Sequence, residues 1–547
     1  MKKTFLVITM ACGAVAAHAA VYTFTNANGD DDLATPANWG LETWSASDSG
    51  TLSSASVMPN LTKISTDWAV DSLYYNSSQK TAKTCTLDLC GNTLNANTLK
   101  IAHAASGNRC LLVVTNGRVV VSGKLTTTVN TASMGFIFRD GADVSIGGIS
   151  LAAASGNTSP HSVEVGKGAS LTFTGNGYIL GSAGDCRPNS TFTVNGGTVY
   201  ATGMSGLMSS GSNGKTPHFN VVNGGRFFGD ESETFLVHAN SGPATVAVTN
   251  GAVATFGKGL KIENVSKHEI VFRDSVVTGA VTFATSLNTL TVMGGVHVGT
   301  LSFGDATRSN AVTVADCTSS GGVSFGSKGV GHTVVLSGGS RTASGDNAIS
   351  FGANTTNATL VIDNMTFTFN GQFNKDQSSN GSPYSTCPGS AIEFRGAAPR
   401  LYVTGSGKTY ADWISGTMTD ADVAAPVRLR YVLPATPYAS APLYHSNSSF
   451  PTGHFMQLGF NTVFEFDLTD LVRTRGTRKI PIVYSGNGTA TNGNRLGGKL
   501  NLDGLTRRMV VKGAYWSDDP SLELSGDNKT LYLVIKGMAR GTNVIFR

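Results

Sequence analysis

Residues 193–203 read TVNGGTVYATG: a short run of alternating apolar residues, an Asn-Gly-Gly turn and a second short run that closes on glycine. Close copies are VVTNGRVVVSG at residues 113–123 and AVTNGAVATFG at residues 247–257. Asn and Gly adopt the left-handed conformation of tight turns more readily than other residues. Each copy therefore predicts two short strands joined by a turn.

This phrase recurs with a short period. The turn glycines of its copies are Gly117, Gly141, Gly168, Gly196, Gly224, Gly251, Gly294 and Gly338. Successive glycines in this series are 24, 27, 28, 28, 27, 43 and 44 residues apart. Weaker copies, FRDSVVTG from Phe272 and TVADCTSSGG from Thr313, lie in the two wide gaps. The period is therefore roughly 20 to 28 residues. Helical solenoids and propeller blades need longer repeats, so this period argues against both. Leucine-rich repeats are also excluded, because the sequence lacks their leucine ladder. We predict an all-β fold, a single-stranded right-handed parallel β-helix, in which Gly196 and Gly224 occupy equivalent corners.

The two ends of the chain differ from this middle region. Residues 85–399 are predicted to form the β-helix repeats. Residues 20–84 lack the phrase and are rich in tryptophan, so we expect an N-terminal cap there. Residues 400–547 hold 17 Lys and Arg against 11 Asp and Glu, a net of +6, and are expected to form C-terminal coils and a β cap.

The composition and the first residues bear on location. The chain has 547 residues, is 40% hydrophobic and carries a formal charge of +5, which excludes a disordered protein. Lys2 and Lys3, an apolar run at 5–17 and the small-residue site around Ala19 predict a signal peptide at residues 1–19. Lipoprotein processing at Cys12 is the alternative. No later stretch reaches the length of a membrane helix, so we expect a protein that is secreted or on the cell surface.

Six cysteines remain after removal of the signal peptide, and either disulfides or buried thiols are compatible with an oxidising compartment. They are Cys85, Cys90, Cys110, Cys186, Cys317 and Cys387. The spacing of Cys85 and Cys110 is close to one period, so we expect them to stack within about one residue of register. Cys85 and Cys90 should lie on opposite faces. No CxxC occurs, which argues against structural zinc.

Several segments resemble the autotransporter-passenger-like β-helix proteins of bacterial surfaces. They are GDDDLATPANW at 29–39, LDLCGNTLNANTLKI at 87–101, VFEFDLTD at 463–470, GKLNLDGL at 498–505 and LELSGDNKTLYLVIKG at 522–537. The resemblance implies an adhesin, a surface fibre or a passenger of unknown role. The chain departs from the family because its tail strands, of about four to seven residues, are too short for a membrane barrel. We expect separate machinery for export or anchoring.

The alternative is a polysaccharide lyase or hydrolase of the pectate-lyase-like β-helix class. Glycoside hydrolysis needs two carboxylates held about 5 to 10 Å apart. Clustered acids occur at residues 30–32, at residues 230–233 and at residues 518–519, and the middle set, with His238 nearby, is the best candidate. The coil phrases carry Val, Thr, Asn and Gly where such an enzyme would place acids and bases. We therefore predict no catalytic residues, and no activity that depends on Glu231, Glu233 or His238.

Metal and ligand sites are weakly indicated. Asp30, Asp31 and Asp32 offer oxygen ligands for calcium but depart from the EF-hand spacing, so neither a metal site nor a cofactor is predicted. The histidines are expected at surfaces or corners rather than as ligands; they are His103, His161, His218, His268 and His297. We predict no nucleic-acid partner.

Two features could bind partners. The tail carries a basic group that could meet anionic glycans or form a solvated loop: Arg473, Arg475, Arg478, Lys479, Arg507 and Arg508. The lateral faces should present ladders of Ser, Thr and Asn, which suit repeated contact with carbohydrate or protein. The sequence thus predicts an exported, non-catalytic protein of adhesion, structural or glycan-binding type, whose binding residues it does not identify.

Overall fold

The computed structural model describes residues 20–536 with gaps at 54–59, 78–82, 104–108, 128–132, 152–159, 181–189, 211–215, 240–241, 265–266, 345–347, 353, 371–386, 405–408, 411–426, 446–455, 458–462, 473, 475, 487–501 and 514–519. Some sequence-based expectations fall outside these residues. They concern the signal peptide at 1–19, Cys12, Cys186, Arg473, Arg475 and the acids at 518–519.

The chain forms a right-handed parallel β-solenoid, as the repeat predicts. One sheet takes one strand from each coil, and the strands pair in parallel from coil to coil. We call it sheet one. Its strands are Leu61–Lys63, Lys83–Asp88, Arg109–Thr115, Ser133–Phe138, Ser162–Gly166, Thr191–Asn195, His218–Val222, Thr245–Thr249, Glu269–Arg273, Thr289–Met293, Ala311–Ala315, Thr333–Ser337, Thr359–Asp363, Ala391–Arg395, Arg428–Val432, Val463–Asp467 and Val510–Lys512.

The second sheet is bent, so most coils cross it as two strips. The first strip follows the turn after sheet one, and the second strip follows the bend. The strands of this sheet two are Val21–Thr23, Ser49–Ser53, Trp68–Ser77, Thr93–His103, Gly117–Thr127, Ala142–Leu151, Ser170–Phe173, Gly177–Leu180, Thr198–Ala201, Met204–Ser210, Arg226–Gly229, Thr234–Ala239, Val253–Glu263, Val276–Phe283, Val296–Val298, Leu301–Phe303, Thr318–Ser320, Val323–Phe325, Ser340–Ser344, Ile349–Phe351, Thr366–Asn370, Arg400–Val403, Leu443–His445, Thr477–Ser485, Ser521–Leu524 and Thr530–Lys536.

Four small elements complete the described secondary structure. Thr409–Tyr410 pairs in parallel with Met456–Gln457. A short 3-10 helix spans Pro36–Trp39, and a short α-helix spans Leu502–Arg507. The repeat region therefore contains strands and turns, in agreement with the short alternating apolar runs of its sequence.

The corners depend on residues with positive φ. Thr198 pairs with Arg226 in the next coil. Gly196 and Gly224 each lie two residues before this pair, so they occupy equivalent corners of the two coils. Their φ angles are 74° and 75°, in the left-handed region that favours glycine. The predicted equivalence of these two corners is confirmed.

Alternate side chains of each strand fill a continuous apolar core between the sheets. Phe283, Phe303, Phe325 and Phe351 are in register in four successive coils. Their ring centroids are 5.3, 5.2 and 4.7 Å apart, close to the spacing of paired strands. Because each ring packs on the same residue type in the next coil, the ladder also favours this register.

Parallel pairing begins well before residue 85. Val21–Thr23 pairs with Ser49–Ser53, which pairs with Trp68–Ser77. Trp39 and Trp68 are buried, and their ring centroids lie 5.9 Å apart at this end of the core. Residues 20–84, expected as a cap, thus contain the first coils, because backbone pairing does not require the Asn-Gly phrase.

At the other end the pairing changes direction. Thr477–Ser485 pairs in parallel with Leu443–His445 on one side and antiparallel with Thr530–Lys536 on the other. Ser521–Leu524 then adds a further antiparallel strand. Parallel pairing between coils therefore continues past residue 400.

The cysteine register differs from the expected one. Cys85 lies opposite Leu112, and Cys110 lies opposite Lys83, so the two thiols are offset by two residues rather than at most one. The intervening coil is longer than the separation of the two cysteines along the chain. Cys85 is buried whereas Cys90 is exposed in a turn, which agrees with their predicted placement on opposite sides.

Candidate functional site

One outward-facing row of side chains runs along the first strip of sheet two. Its members alternate with buried residues such as Val199, Phe227 and Leu401. We call it the outer column: Thr172, Tyr200, Phe228, Thr255, Thr278, Val298, Ser320, Thr342, Thr368, Tyr402, Tyr444 and Tyr484. The lateral faces were predicted to present Ser, Thr and Asn; the outer column carries Thr and Ser together with aromatic residues, but no Asn.

Three tyrosines stack at the C-terminal end of the outer column. The ring centroids of Tyr402 and Tyr444 are 5.3 Å apart, and those of Tyr444 and Tyr484 are 4.4 Å apart at an interplanar angle of 22°. We call these residues the tyrosine ladder. Burial, and then the neighbouring Tyr484, raise the pKa of the Tyr444 hydroxyl. Tyr444 therefore presents a neutral phenol, and the ladder combines apolar ring edges with hydroxyl groups.

An arginine lies beside the tyrosine ladder. The Arg400 guanidinium is 5.1 Å from the centroid of the Tyr444 ring, and it also donates to the Ser440 hydroxyl. A guanidinium held over an aromatic ring keeps other N–H groups for a ligand. Ring edges, hydroxyls and a cation thus occur together on a partly exposed surface.

A second aromatic pair lies further along the outer column. The rings of Tyr200 and Phe228 stack at 5.5 Å with an interplanar angle of 19°, and Tyr200 is 44% exposed. Thr255, Thr278 and Val298 continue the column from this pair. The two aromatic groups therefore belong to one continuous surface.

The acids proposed for catalysis do not form a carboxylate pair with His238. Asp230 accepts hydrogen bonds from the Ser232 hydroxyl and from the Gly203 N–H, which lower its pKa. Five residues separate Glu233 from His238, a distance of about 16 Å along an extended chain. Asp230 thus organises a turn.

His238 instead meets a carboxylate of the next coil. Its Nδ1 lies 3.0 Å from Glu263 Oε1, and the Asn264 amide contacts its Nε2. Since the amide donates to Nε2, Nδ1 carries the proton and donates to Glu263. Burial would raise the pKa of Glu263, but Lys261 and His238 outweigh it and the pKa is lowered. Glu263 was not singled out from the sequence, since it lies a whole coil further along the chain and only strand register brings it to His238.

Tyr178 completes this cluster. Its ring centroid is 6.3 Å from that of His238, and burial together with the charge of Glu263 raises its pKa. A histidine, a tyrosine and a carboxylate are groups used in acid–base catalysis. Here both imidazole nitrogens are already hydrogen-bonded within the protein.

The acidic N-terminal turn is bonded internally. Asp30 accepts from the Asn38 amide and from the Asp32 N–H, which lower its pKa. Asp32 accepts from the Ala34 N–H and from Ser65. These oxygens stabilise the turn before the 3-10 helix, and the described residues contain no cluster of His, Cys, Asp or Glu arranged for a metal.

Three basic residues of the tail contact other groups of the protein. Arg478 donates to the Val472 carbonyl, Lys479 pairs with Glu523, and Arg508 donates to the Gly504 carbonyl. Each of these three side chains is therefore engaged by a group of the protein itself.

Two buried glutamates organise a separate charge cluster on sheet one. Glu465 Oε1 is 2.6 Å from Lys512 Nζ and 3.2 Å from Arg430 Nε, while Glu393 Oε2 accepts from Arg430 Nη1 at 3.0 Å. Burial would raise the pKa of Glu465, but Lys512 and Arg430 outweigh it, and the pKa is lowered. This cluster pairs its charges and is structural.

The histidines are mostly corner residues in the interior. His268 and His332 lie at equivalent inner corners, where their Nδ1 atoms accept from the Ala244 and Asn310 N–H groups. His161 and His297 are also buried. The expected surface or corner position is correct for His161 and His268, which precede equivalent strands of sheet one, and wrong for His297, which is buried within a strand of sheet two.

Comparison with known protein families, with curated proteins and with solved structures found no significant match. The resemblance to autotransporter passengers therefore stays a prediction from sequence motifs. In the described part of the chain, neither helix has the length and apolarity needed to cross a membrane.

Proposed function

We propose that this protein is an exported, non-catalytic β-solenoid of the cell surface or extracellular space, and that the outer column binds glycans. The tyrosine ladder with Arg400 carries this proposal. Sugar rings offer C–H groups to aromatic surfaces and hydroxyls to phenol and guanidinium groups. The repeat of about 4.8 Å between coils provides several such contacts in a row, so weak contacts can add along a polymer.

Substitution of Tyr444 by alanine should weaken glycan binding about tenfold, the equivalent of 1.4 kcal/mol, because it removes the central ring and hydroxyl of the ladder. Binding is first measured on an array of purified polysaccharides and then by calorimetry with the best ligand. Tyr444→Phe keeps the ring and should lose less than Tyr444→Ala.

Thr313→Ala is the matched control, since Thr313 is a partly exposed threonine of sheet one and lies outside the outer column. Its affinity should equal that of the unmodified protein. Equal affinity of Tyr444→Ala, or no binding to any array polysaccharide, would exclude the tyrosine ladder as a glycan site.

The second candidate function is a polysaccharide lyase or hydrolase, which the cluster of His238, Glu263 and Tyr178 favours. Against it, a general base needs a free nitrogen, and the His238 nitrogens contact Glu263 and Asn264. The acids around Asp230 lie apart from it. The non-catalytic proposal is therefore the better supported.

The purified mature chain should release neither reducing ends nor unsaturated sugars from pectin, alginate or other acidic polysaccharides. His238→Ala, Glu231→Gln and Glu233→Gln should change local stability alone. Reproducible product release that is lost in His238→Ala and retained in the surface variant Glu523→Ala would replace the binding proposal with the enzymatic one.

A further inference from the structure

Polar residues interrupt the apolar interior of sheet two in three successive coils. His297 pairs with Ser319, which pairs with Arg341, and all three side chains face inward. The equivalent positions on either side are the apolar Val277 and Phe367. A histidine, a serine and an arginine thus replace the valine or phenylalanine of neighbouring coils.

Arg341 is fully buried, with an exposed fraction of 0%. Its Nη2 donates to the Gly299 carbonyl at 3.0 Å and to the Gly322 carbonyl at 3.2 Å, so the side chain extends back over Ser319. Its Nε and Nη1 have no acceptor among the described residues. Burial lowers the pKa of the guanidinium to about 10, so it remains charged at neutral pH.

His297 faces the same region. Neither of its ring nitrogens has a hydrogen-bond partner in the described part of the chain, and its ring packs on Phe272 at 5.9 Å. Burial, followed by the charge of Arg341, lowers its pKa to about 3. A neutral imidazole still offers one N–H donor.

The described neighbours of Arg341 do not neutralise its charge. Cys317 is a titratable group that interacts electrostatically with Arg341. Burial raises the pKa of this thiol above its ordinary value of 9.0, so it carries no negative charge at neutral pH. The Ser319 hydroxyl donates to the Ser340 carbonyl. One positive charge and several N–H donors therefore face each other in an apolar core, where an unpaired charge is strongly unfavourable.

We propose that Arg341 and His297 bind one small monovalent anion, of the size of chloride, in the interior of the solenoid. The anion would accept from Arg341 Nε and Nη1 and from the His297 N–H. It would neutralise the guanidinium and satisfy donors that protein groups leave unpaired. The site is independent of the outer column, since Arg341 and His297 point to the opposite side of the same strip.

Bromide is the probe, because it replaces chloride and scatters anomalously. Crystals grown in sodium bromide should give an anomalous peak within hydrogen-bond distance of Arg341 Nε or Nη1. In thermal unfolding at equal ionic strength, sodium bromide should raise Tm by about 2 °C or more over sodium gluconate, whose anion is too large for the site.

Arg341→Met fills the site with an uncharged chain and should abolish the difference between the two salts. Arg478→Met, at a partly exposed arginine of the tail, should retain it. If Arg341→Met does not fold, the bromide peak in the unmodified protein decides. Lack of a peak at Arg341, or the same Tm difference between the two salts in Arg341→Met, would overturn the proposal.

Discussion

The folded protein should lose on the order of 5 kcal/mol of unfolding free energy as the pH falls from 6.5 to 4. Burial, and then the charge of Arg341, lower the pKa of His297 to about 3; burial lowers that of His332 to about 4, although a Thr307 contact opposes it. Both start from an ordinary value of 6.5. Between pH 6.5 and 4 both histidines are protonated in the unfolded chain but remain neutral in the folded chain. Acid therefore favours unfolding.

Urea unfolding at several pH values between 7 and 4 measures this loss. His297→Leu should flatten the dependence on pH, because leucine suits the apolar surroundings and does not titrate. Val277→Ala, at the equivalent position of the preceding coil, should lower stability equally at every pH. An unchanged slope in His297→Leu would show that this histidine is not the source.

Carboxylates affect stability in a lower pH range than the histidines, so the two effects can be distinguished. Because the pKa of Glu465 is lowered in the folded protein, its carboxylate contributes to folding stability above the ordinary pKa of 4.5, and this contribution is lost as the pH falls below that value. A loss of stability that begins near pH 6 therefore reports on the histidines.

Glu465→Ala should destabilise the protein by about 3 to 5 kcal/mol at pH 7, since it leaves charged neighbours without their buried partner. The carboxylate is 2% exposed and lies within 3.4 Å of Arg428, Arg430 and Lys512. Guanidinium denaturation would measure the change. Glu465→Gln should lose less, because the amide oxygen still accepts a hydrogen bond.

Glu523→Ala is the matched control. Glu523 pairs with Lys479, and both side chains are about half exposed, so its loss should cost about 0 to 1 kcal/mol. If Glu465→Ala were no more destabilised than Glu523→Ala, the charge cluster on sheet one would not stabilise the C-terminal coils.

Much of the fold was predictable because its signals are local. The phrase at residues 113–123 alternates apolar and polar residues on either side of Asn-Gly, and strands indeed flank that turn at Arg109–Thr115 and Gly117–Thr127. The boundaries were less predictable. Val21–Thr23 pairs through its backbone, which any sequence of suitable length can do, so the first coils carry no repeat signal.

The register was not predictable in detail. Cys85 lies opposite Leu112 rather than Cys110, so this coil is longer than the spacing of the two cysteines suggests. Loop length changes from coil to coil, and a shift of one residue would reverse the buried and exposed faces. The spacing between two residues of the same type therefore gives an approximate coil length. It does not define which residue pairs with each of them on the neighbouring coil.

The tyrosine ladder shows what local patterns miss. Tyr402, Tyr444 and Tyr484 are aligned by strand pairing across coils that are much longer than the repeat. The same dependence on pairing applies to His238 and Glu263, and to His297 and Arg341. Each of these residues has an ordinary sequence context.

The sequence by itself determined that this chain alternates short strands with left-handed turns and stacks them into a parallel solenoid, because strand alternation and turn conformation depend on adjacent residues. Only the tertiary structure decided which side chains meet on a face or in the core. Those contacts depend on the summed length of strands and loops in each coil, to which every residue of the coil contributes. The outer column and the buried Arg341 site follow from that register.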